Sequence, residues 1–189
     1  NLGAAAGTVA LNDARLASTG TFSTARAATL TGNGTFDTAT GTTLGWSGDI
    51  GGAGALVKTG QGTLVLGGDN QYAGGTTVNA GAVQVARDAN LGAAAGAVAL
   101  NDARLASTGT FSTARAATLT GNGTFDTADG TTLGWTGDIG GAGALVKTGQ
   151  GTLVLDGDNQ YGGGTTVNAG TVQVSRDANL GAAAGAVAL

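Results

Sequence analysis

The chain of 189 residues contains no proline, cysteine, methionine, histidine or glutamate. Without cysteine there is no disulfide framework and no thiolate metal site; without histidine, the commonest zinc ligand and general base is missing. Glycine accounts for 38 residues, but it does not recur at every third position and proline is absent, which excludes a collagen helix. Apolar runs are far shorter than a membrane span requires, and no signal peptide is visible. Eight basic residues face twelve acidic ones, for a formal charge of −4. That balance supplies no basic stripe for nucleic acid. Leu, Val, Ile and Phe make up only 37 residues, a fraction that with high net charge would mean disorder. Charge is low here and the apolar residues are regularly placed, so a folded chain is expected.

What is present is repetition. Asn1-Leu2-Gly3 returns as Asn90-Leu91-Gly92 and as Asn179-Leu180-Gly181, a period of 89 residues. Residues 1–89 and 90–178 differ at seven positions: Thr8/Ala97, Thr40/Asp129, Ser47/Thr136, Gly67/Asp156, Ala73/Gly162, Ala82/Thr171 and Ala86/Ser175. Residues 179–189 begin a third copy. The expected organisation is therefore two repeats, 1–89 and 90–178, and the start of another, a segment of a longer array.

Within a copy the apolar period is two. Val9–Leu11, Ala14–Ser18, Thr21–Ser23, Ala28–Thr31, Gly34–Asp37, Thr43–Trp46, Ala55–Lys58, Leu64–Leu66, Thr76–Val78 and Val83–Val85 read as short strands. Asn12-Asp13, Gly32-Asn33-Gly34, Gly60-Gln61-Gly62, Gly67–Asn70, Gly74-Gly75 and Asn79–Gly81 read as turns, since Gly and Asn tolerate positive φ. Ala4-Ala5-Ala6 is too short to nucleate a helix. Many short strands in a repeating chain leave a sandwich, a propeller or a solenoid. The identity and length of the repeat favour the solenoid: a parallel β-helix with coils of about 22 residues and about four coils per repeat. At about 4.8 Å per coil, one copy should superimpose on the next by a shift of roughly 19 Å along the axis.

Gly52–Leu66 and Asp69–Val85 resemble the passenger-associated transport repeat, or autotransporter-associated β-strand repeat, of bacterial autotransporter passengers. Lys58-Thr59-Gly60-x-Gly62-Thr63-Leu64 and Asn70-x-Tyr72-x-Gly74 carry the resemblance. The second copy carries it at Lys147, Gly149, Gly151, Leu153, Asn159, Tyr161 and Gly163. The resemblance implies a right-handed parallel β-helix exposed outside a Gram-negative outer membrane, and assistance with secretion. The function expected is a stalk segment of an adhesin, with neighbouring repeats as its first partners. Identical rods on other cells, in aggregation or biofilm, or surface glycans are further expected partners. Attachment to the outer membrane would run through regions outside this sequence.

Several residues could carry chemistry. Asp69, with Asp156 and Asp158 in the second copy, could begin a calcium loop, but no bidentate Glu follows, and turn closure explains them. Gly51–Leu56 places Leu where a calcium β-roll needs Asp. Asp37, Asp49, Lys58, Asp69 and Arg87 could be assembled into a polysaccharide-cleaving set. No long loop forms a cleft, however, and near-identical duplication is ordinary in spacers. Arg15 with Asp13, and Arg87 with Asp88, read as surface pairs of little energy. Thr19/Thr21 and Thr29/Thr31 have the spacing of an ice-binding lattice, which Thr42-Thr43 and Thr76-Thr77 break. Phe22, Phe36, Trp46 and Tyr72, repeated as Phe111, Phe125, Trp135 and Tyr161, are expected in the core or at corners rather than as a glycan-stacking ladder, with Tyr72 against its own turn. No catalytic, cofactor or metal residue is assigned, and a non-enzyme is expected.

Overall fold

Alternation at period two gives each short run one apolar and one polar face, so the runs must wrap around a shared interior. The structure, a computed structural model, describes residues 7–189; Ala4-Ala5-Ala6 lies outside them. The first copy holds β1 (Val9–Leu11), β2 (Ala14–Ser18), β3 (Phe22–Thr24), β4 (Ala28–Leu30), β5 (Gly34–Thr38), β6 (Thr43–Trp46), β7 (Ile50–Gly51), β8 (Leu56–Thr59), β9 (Thr63–Leu66), β10 (Thr76–Val78) and β11 (Ala82–Val85). A single-turn 3-10 helix, η1 (Asp88–Leu91), follows. The second copy repeats these as β12 (Val98–Leu100), β13 (Ala103–Ser107), β14 (Phe111–Thr113), β15 (Ala117–Leu119), β16 (Gly123–Thr127), β17 (Thr132–Trp135), β18 (Ile139–Gly140), β19 (Leu145–Thr148), β20 (Thr152–Leu155), β21 (Thr165–Val167) and β22 (Thr171–Val174). Then come η2 (Asp177–Leu180) and β23 (Val187–Ala188).

Every described strand pairing is parallel and joins successive coils. Val9 pairs with Ala28 and Ala28 with Ile50, steps of 19 and 22 residues. The all-β parallel solenoid expected from the sequence is the observed fold. Ten of the first copy's eleven strands match the expected runs; the two-residue β7 and the helix η1 are additions to them.

About four coils per copy are observed, as expected, but the copies are not related by a shift alone. Three wall segments make one coil: β1, β2 and β3 lie on three different faces, and β4 returns to the face of β1. Among the described residues each copy contributes eleven strands and two strandless segments, 70–73 and Asp88–Leu91 in the first, thirteen in all. Thirteen thirds are four coils and one further face. The registers show the slip directly. Val98, the counterpart of Val9, pairs with Thr76 in the sheet of β2, β5 and β8 rather than in that of β1. Leu105, the counterpart of Leu16, stacks on Val83 on the third face. The second copy is therefore turned by about 120° as well as shifted, by about 21 Å at ~4.8 Å per coil. A division by length alone, with β7 and the strandless segments uncounted, yields a whole number of coils.

Inward positions form continuous rows. Leu44, Leu64, Val83, Leu105 and Phe125 stack coil upon coil across the boundary between copies, and all are fully buried. Phe36 meets Trp46 edge to face at 5.3 Å, and Phe125 meets Trp135 at 5.4 Å. Such contacts add about 0.5–1.5 kcal/mol beyond burial. Gly92 closes the same interior: its φ is +89°, and a Cβ would sit 2.6 Å from the Tyr72 ring, so only glycine fits.

Thr38 and Thr127 are fully buried, and neither hydroxyl has a hydrogen-bond partner among the described residues. An unpaired buried hydroxyl costs about 1–3 kcal/mol. Thr38→Val and Thr127→Val, which keep the branched shape, will each raise stability by about 1 kcal/mol in chemical denaturation. A loss of stability in both variants would show that these hydroxyls are satisfied in solution.

Candidate functional site

The residues with chemical potential fall at the corners and in the strandless stretches, where the ladder does not satisfy the backbone. On the first face the strands β1, β4 and β7 end at Ile50–Gly51, and segment 70–73 continues the stack through Gln71 N–H to Ile50 O at 2.7 Å and Ala73 N–H to Gly52 O at 3.0 Å. Two buried asparagines add to these bonds. Asn70 Oδ1 accepts the Ile50 N–H at 2.8 Å, one coil back, and its Nδ2 donates to Asn90 O at 2.7 Å, one coil on. Asn90 Oδ1 accepts the N–H groups of Ala86 and Arg87, and its Nδ2 donates to Gly68 O at 2.9 Å. Asn159 and Asn179 repeat these bonds. Buried backbone groups need partners, and the carboxamide supplies both a donor and acceptors. Asn70→Ala will destabilise the chain by about 2–3 kcal/mol because it leaves a buried N–H and C=O unpaired. Exposed Asn79, whose side chain has no bond among the described residues, will tolerate the same change within about 0.5 kcal/mol. Equal denaturation midpoints for the two variants would contradict this account.

Lys58 lies inside. It occupies the inward row between Phe36 and Val78 and is fully buried. Its Nζ reaches the corner and donates to Thr59 O and Gly60 O, both at 2.7 Å, and to Ala80 O at 3.2 Å on the next coil. Burial pushes the ammonium down from its ordinary 10.5 to about 8, with Asp37 acting in the opposite direction. Lys147 makes the same three contacts and is also lowered by burial. Alternation from Leu56 through Val57 places Lys58 on the core side, a signal available in the sequence.

Arg115 is also a buried cation. Its guanidinium grips Asp88 through Nε at 2.8 Å and Nη2 at 3.1 Å, and donates to the carbonyls of Gly92, Ala93 and Gly96. An arginine of the second copy thus holds η1, which straddles the boundary between the copies, and the turn that follows it. Arg26, its counterpart, donates to Gly7 O at 3.0 Å.

The polysaccharide-cleaving set does not assemble. Asp37 pairs with Arg15 at 2.8 Å, Lys58 is enclosed, and Asp49, Asp69 and Arg87 lie together at another corner. There Asp49 Oδ1 accepts the Asp69 N–H at 2.8 Å, and Arg87 pairs with Asp69 at 2.9 Å. Asp158 is bound in the same way by Asp138 and Arg176, and Asp156 is exposed. The expected pairs Arg15–Asp13 and Arg87–Asp88 are replaced by partners one coil away, Asp37 and Asp69, while Asp13 accepts the Asn33 N–H and Asp88 holds Arg115. Among the described residues no cluster of three or more acidic side chains is placed to hold a metal ion.

Phe36, Trp46, Tyr72 and their counterparts are fully buried, so they form core rather than a glycan ladder. Tyr72 OH shares a 2.7 Å hydrogen bond with Thr76 Oγ1, and burial pushes the phenol up. Phe22 is 39% exposed, while Phe111 packs against the core. The threonine pairs serve the wall: Thr21 Oγ1 accepts the Thr43 N–H at 3.0 Å, and Thr76 points inward while Thr77 is half-exposed.

Lys58, Asn70 and Tyr72 all belong to the segment that the family comparison selects. The passenger-associated transport repeat matches residues 56–85 and again 145–174. The chain carries two passenger-associated transport repeats. In each repeat the lysine caps a corner from inside, the asparagine bridges three coils, and the tyrosine fills the space beside Gly92 or Gly181. The chain is also 39% identical over 128 residues to the adhesin BmaC autotransporter of Brucella suis biovar 1 (strain 1330), across 67% of this chain and 4% of that protein. No solved structure matches significantly.

Proposed function

We propose that the chain is a non-catalytic stalk segment of a cell-surface autotransporter adhesin passenger, holding an adhesive region away from the cell and folding outward coil by coil. One observation carries the reading: β9, β11, β13 and β16 run through the boundary between copies as one unbroken ladder, so length can be added by repeats. Nearest-neighbour stacking then makes stability grow with coil number, which favours progressive folding outside a membrane. The adhesive and secretory parts of the proposal draw on the similarity to the Brucella adhesin and on the transport repeats themselves.

The ionic groups that an enzyme would need are occupied by the wall, as Lys58 and Asp69 illustrate, which supports a mechanical role. Chains of two, four and six repeats, measured by small-angle scattering, should lengthen by about 21 Å per repeat at constant cross-section. Lengthening that stalls, or a growing cross-section, would refute the stalk. Depolymerase activity abolished by Asp69→Asn together with Asp158→Asn would refute the non-catalytic assignment.

A further inference from the structure

Asn33-Gly34-Thr35 and Asn122-Gly123-Thr124 fit Asn-x-Ser/Thr, the acceptor pattern for N-linked sugars. It occurs once per copy; the asparagines at 12, 70, 79 and 90, and their counterparts, lack Ser or Thr two residues on. Pattern alone is weak in a chain this rich in threonine. The structure adds two observations.

The first is presentation. Asn33 and Asn122 are exposed at corners, and their backbones are fixed while their carboxamides make no hydrogen bond among the described residues. The Asn33 N–H donates to Asp13 Oδ1 at 2.9 Å and its carbonyl accepts from Ala14 N–H at 3.2 Å. Asn122 repeats this with Asp102 and Ala103. Asn70 and Asn90, by contrast, are buried and use both ends of the carboxamide. Thr35 and Thr124 stand half-exposed two residues on, across a glycine that adds no side chain.

The second observation is protection. An Asn-Gly pair ordinarily loses its carboxamide when the glycine nitrogen attacks it. Here Gly34 N–H is bound to Ala55 O and Gly123 N–H to Ala144 O, both at 2.8 Å in the coil stack. The acceptor amide is kept free on the outside while the atom that would destroy it is held in the wall.

We propose that Asn33 and Asn122 are glycosylation sites, each taking a sugar from a phosphate-activated donor through a separate glycosyltransferase. The Asn Nδ2 forms a bond to the sugar C1, the bond from C1 to the donor's phosphate oxygen breaks, and the phosphate leaves with the electron pair. One amide proton passes to a base of the transferase. Because the second copy is turned by one face, the two sugars project about 120° apart and about 21 Å along the axis.

Trypsin separates the sites: fragments 27–58 and 116–147 each contain a single asparagine. Mass spectrometry of the full chain from the cells that naturally make it should show both fragments carrying a glycosyl mass, located on Asn33 and Asn122. Asn33→Gln with Asn122→Gln should remove it, as should Thr35→Ala with Thr124→Ala, which leave the asparagines in place. The readout is on fragments and does not depend on how stably the variants fold. Unmodified fragments, fragments showing only deamidation, or sugars that persist after Asn33→Gln and Asn122→Gln would each overturn the proposal.

Discussion

Replacing Arg115 by methionine will destabilise the chain by about 2–3 kcal/mol and uncouple the two copies. The stem volume is kept, but Asp88 loses a two-point partner and the carbonyls of Gly92, Ala93 and Gly96 lose their cation. The arginine side chain is 1% exposed and that of Asp88 32%, so water can reach the carboxylate left behind and the loss falls mainly on the buried carbonyls. The defect falls between the repeats, where nearest-neighbour coupling decides whether a solenoid unfolds as one unit. One denaturation transition should therefore become two, and protease cleavage should concentrate within 88–96. Arg115→Lys will not restore the single transition, because an ammonium cannot span both carboxylate oxygens and the separate carbonyls in the same way. A single transition with an unchanged midpoint in Arg115→Met would contradict this role.

The second large effect is on pH dependence. A lysine whose folded pKa is about 8, against about 10.4 unfolded, binds fewer protons in the folded than in the unfolded chain between those values. Stability must then rise as pH increases through that window, whereas below pH 8 both states are protonated and the contribution is flat. Lys58 alone should add on the order of 2 kcal/mol by pH 10, and Lys147 acts in the same direction. Tyr72 and Tyr161 oppose this at the upper end. Burial raises both phenols, so above pH 10 the unfolded tyrosines ionise first and stability falls. Denaturation midpoints should thus climb from pH 8 to about 10 and then decline. The climb should disappear in Lys58→Met/Lys147→Met, and a wild-type profile flat over that range would exclude the buried-ammonium account.

Much of the wall is legible in the sequence because two physical signals coincide: apolar alternation and turn residues with a defined conformational use. Thr43-Leu44-Gly45-Trp46 shows both, and it forms β6 with Leu44 and Trp46 inward. Ile50-Gly51 is not legible, because one apolar residue followed by two glycines carries no measurable period. For Lys58 two signals conflict: its charge argues for the surface and its parity with Leu56 for the core, and parity wins. Arg115 is hidden: nothing in Ala114-Arg115-Ala116 announces a partner 27 residues earlier, and only the stacking of coils brings Asp88 to it. The same distance hides the exchange of ion-pair partners, since Arg15 to Asp37 is one coil away in the chain.

The extra third of a coil decides where the asparagine-bridged segments fall. In the first copy the two segments without a β ladder, 70–73 and Asp88–Leu91, lie one above the other on the first face; in the second copy their counterparts lie on the second face. Had the repeat closed on a whole number of coils, the segments that rely on asparagine side chains in place of paired strands would have lined up on one face from copy to copy. The slip winds these segments around the axis instead, one face per copy, so neither face of the two described copies carries both pairs.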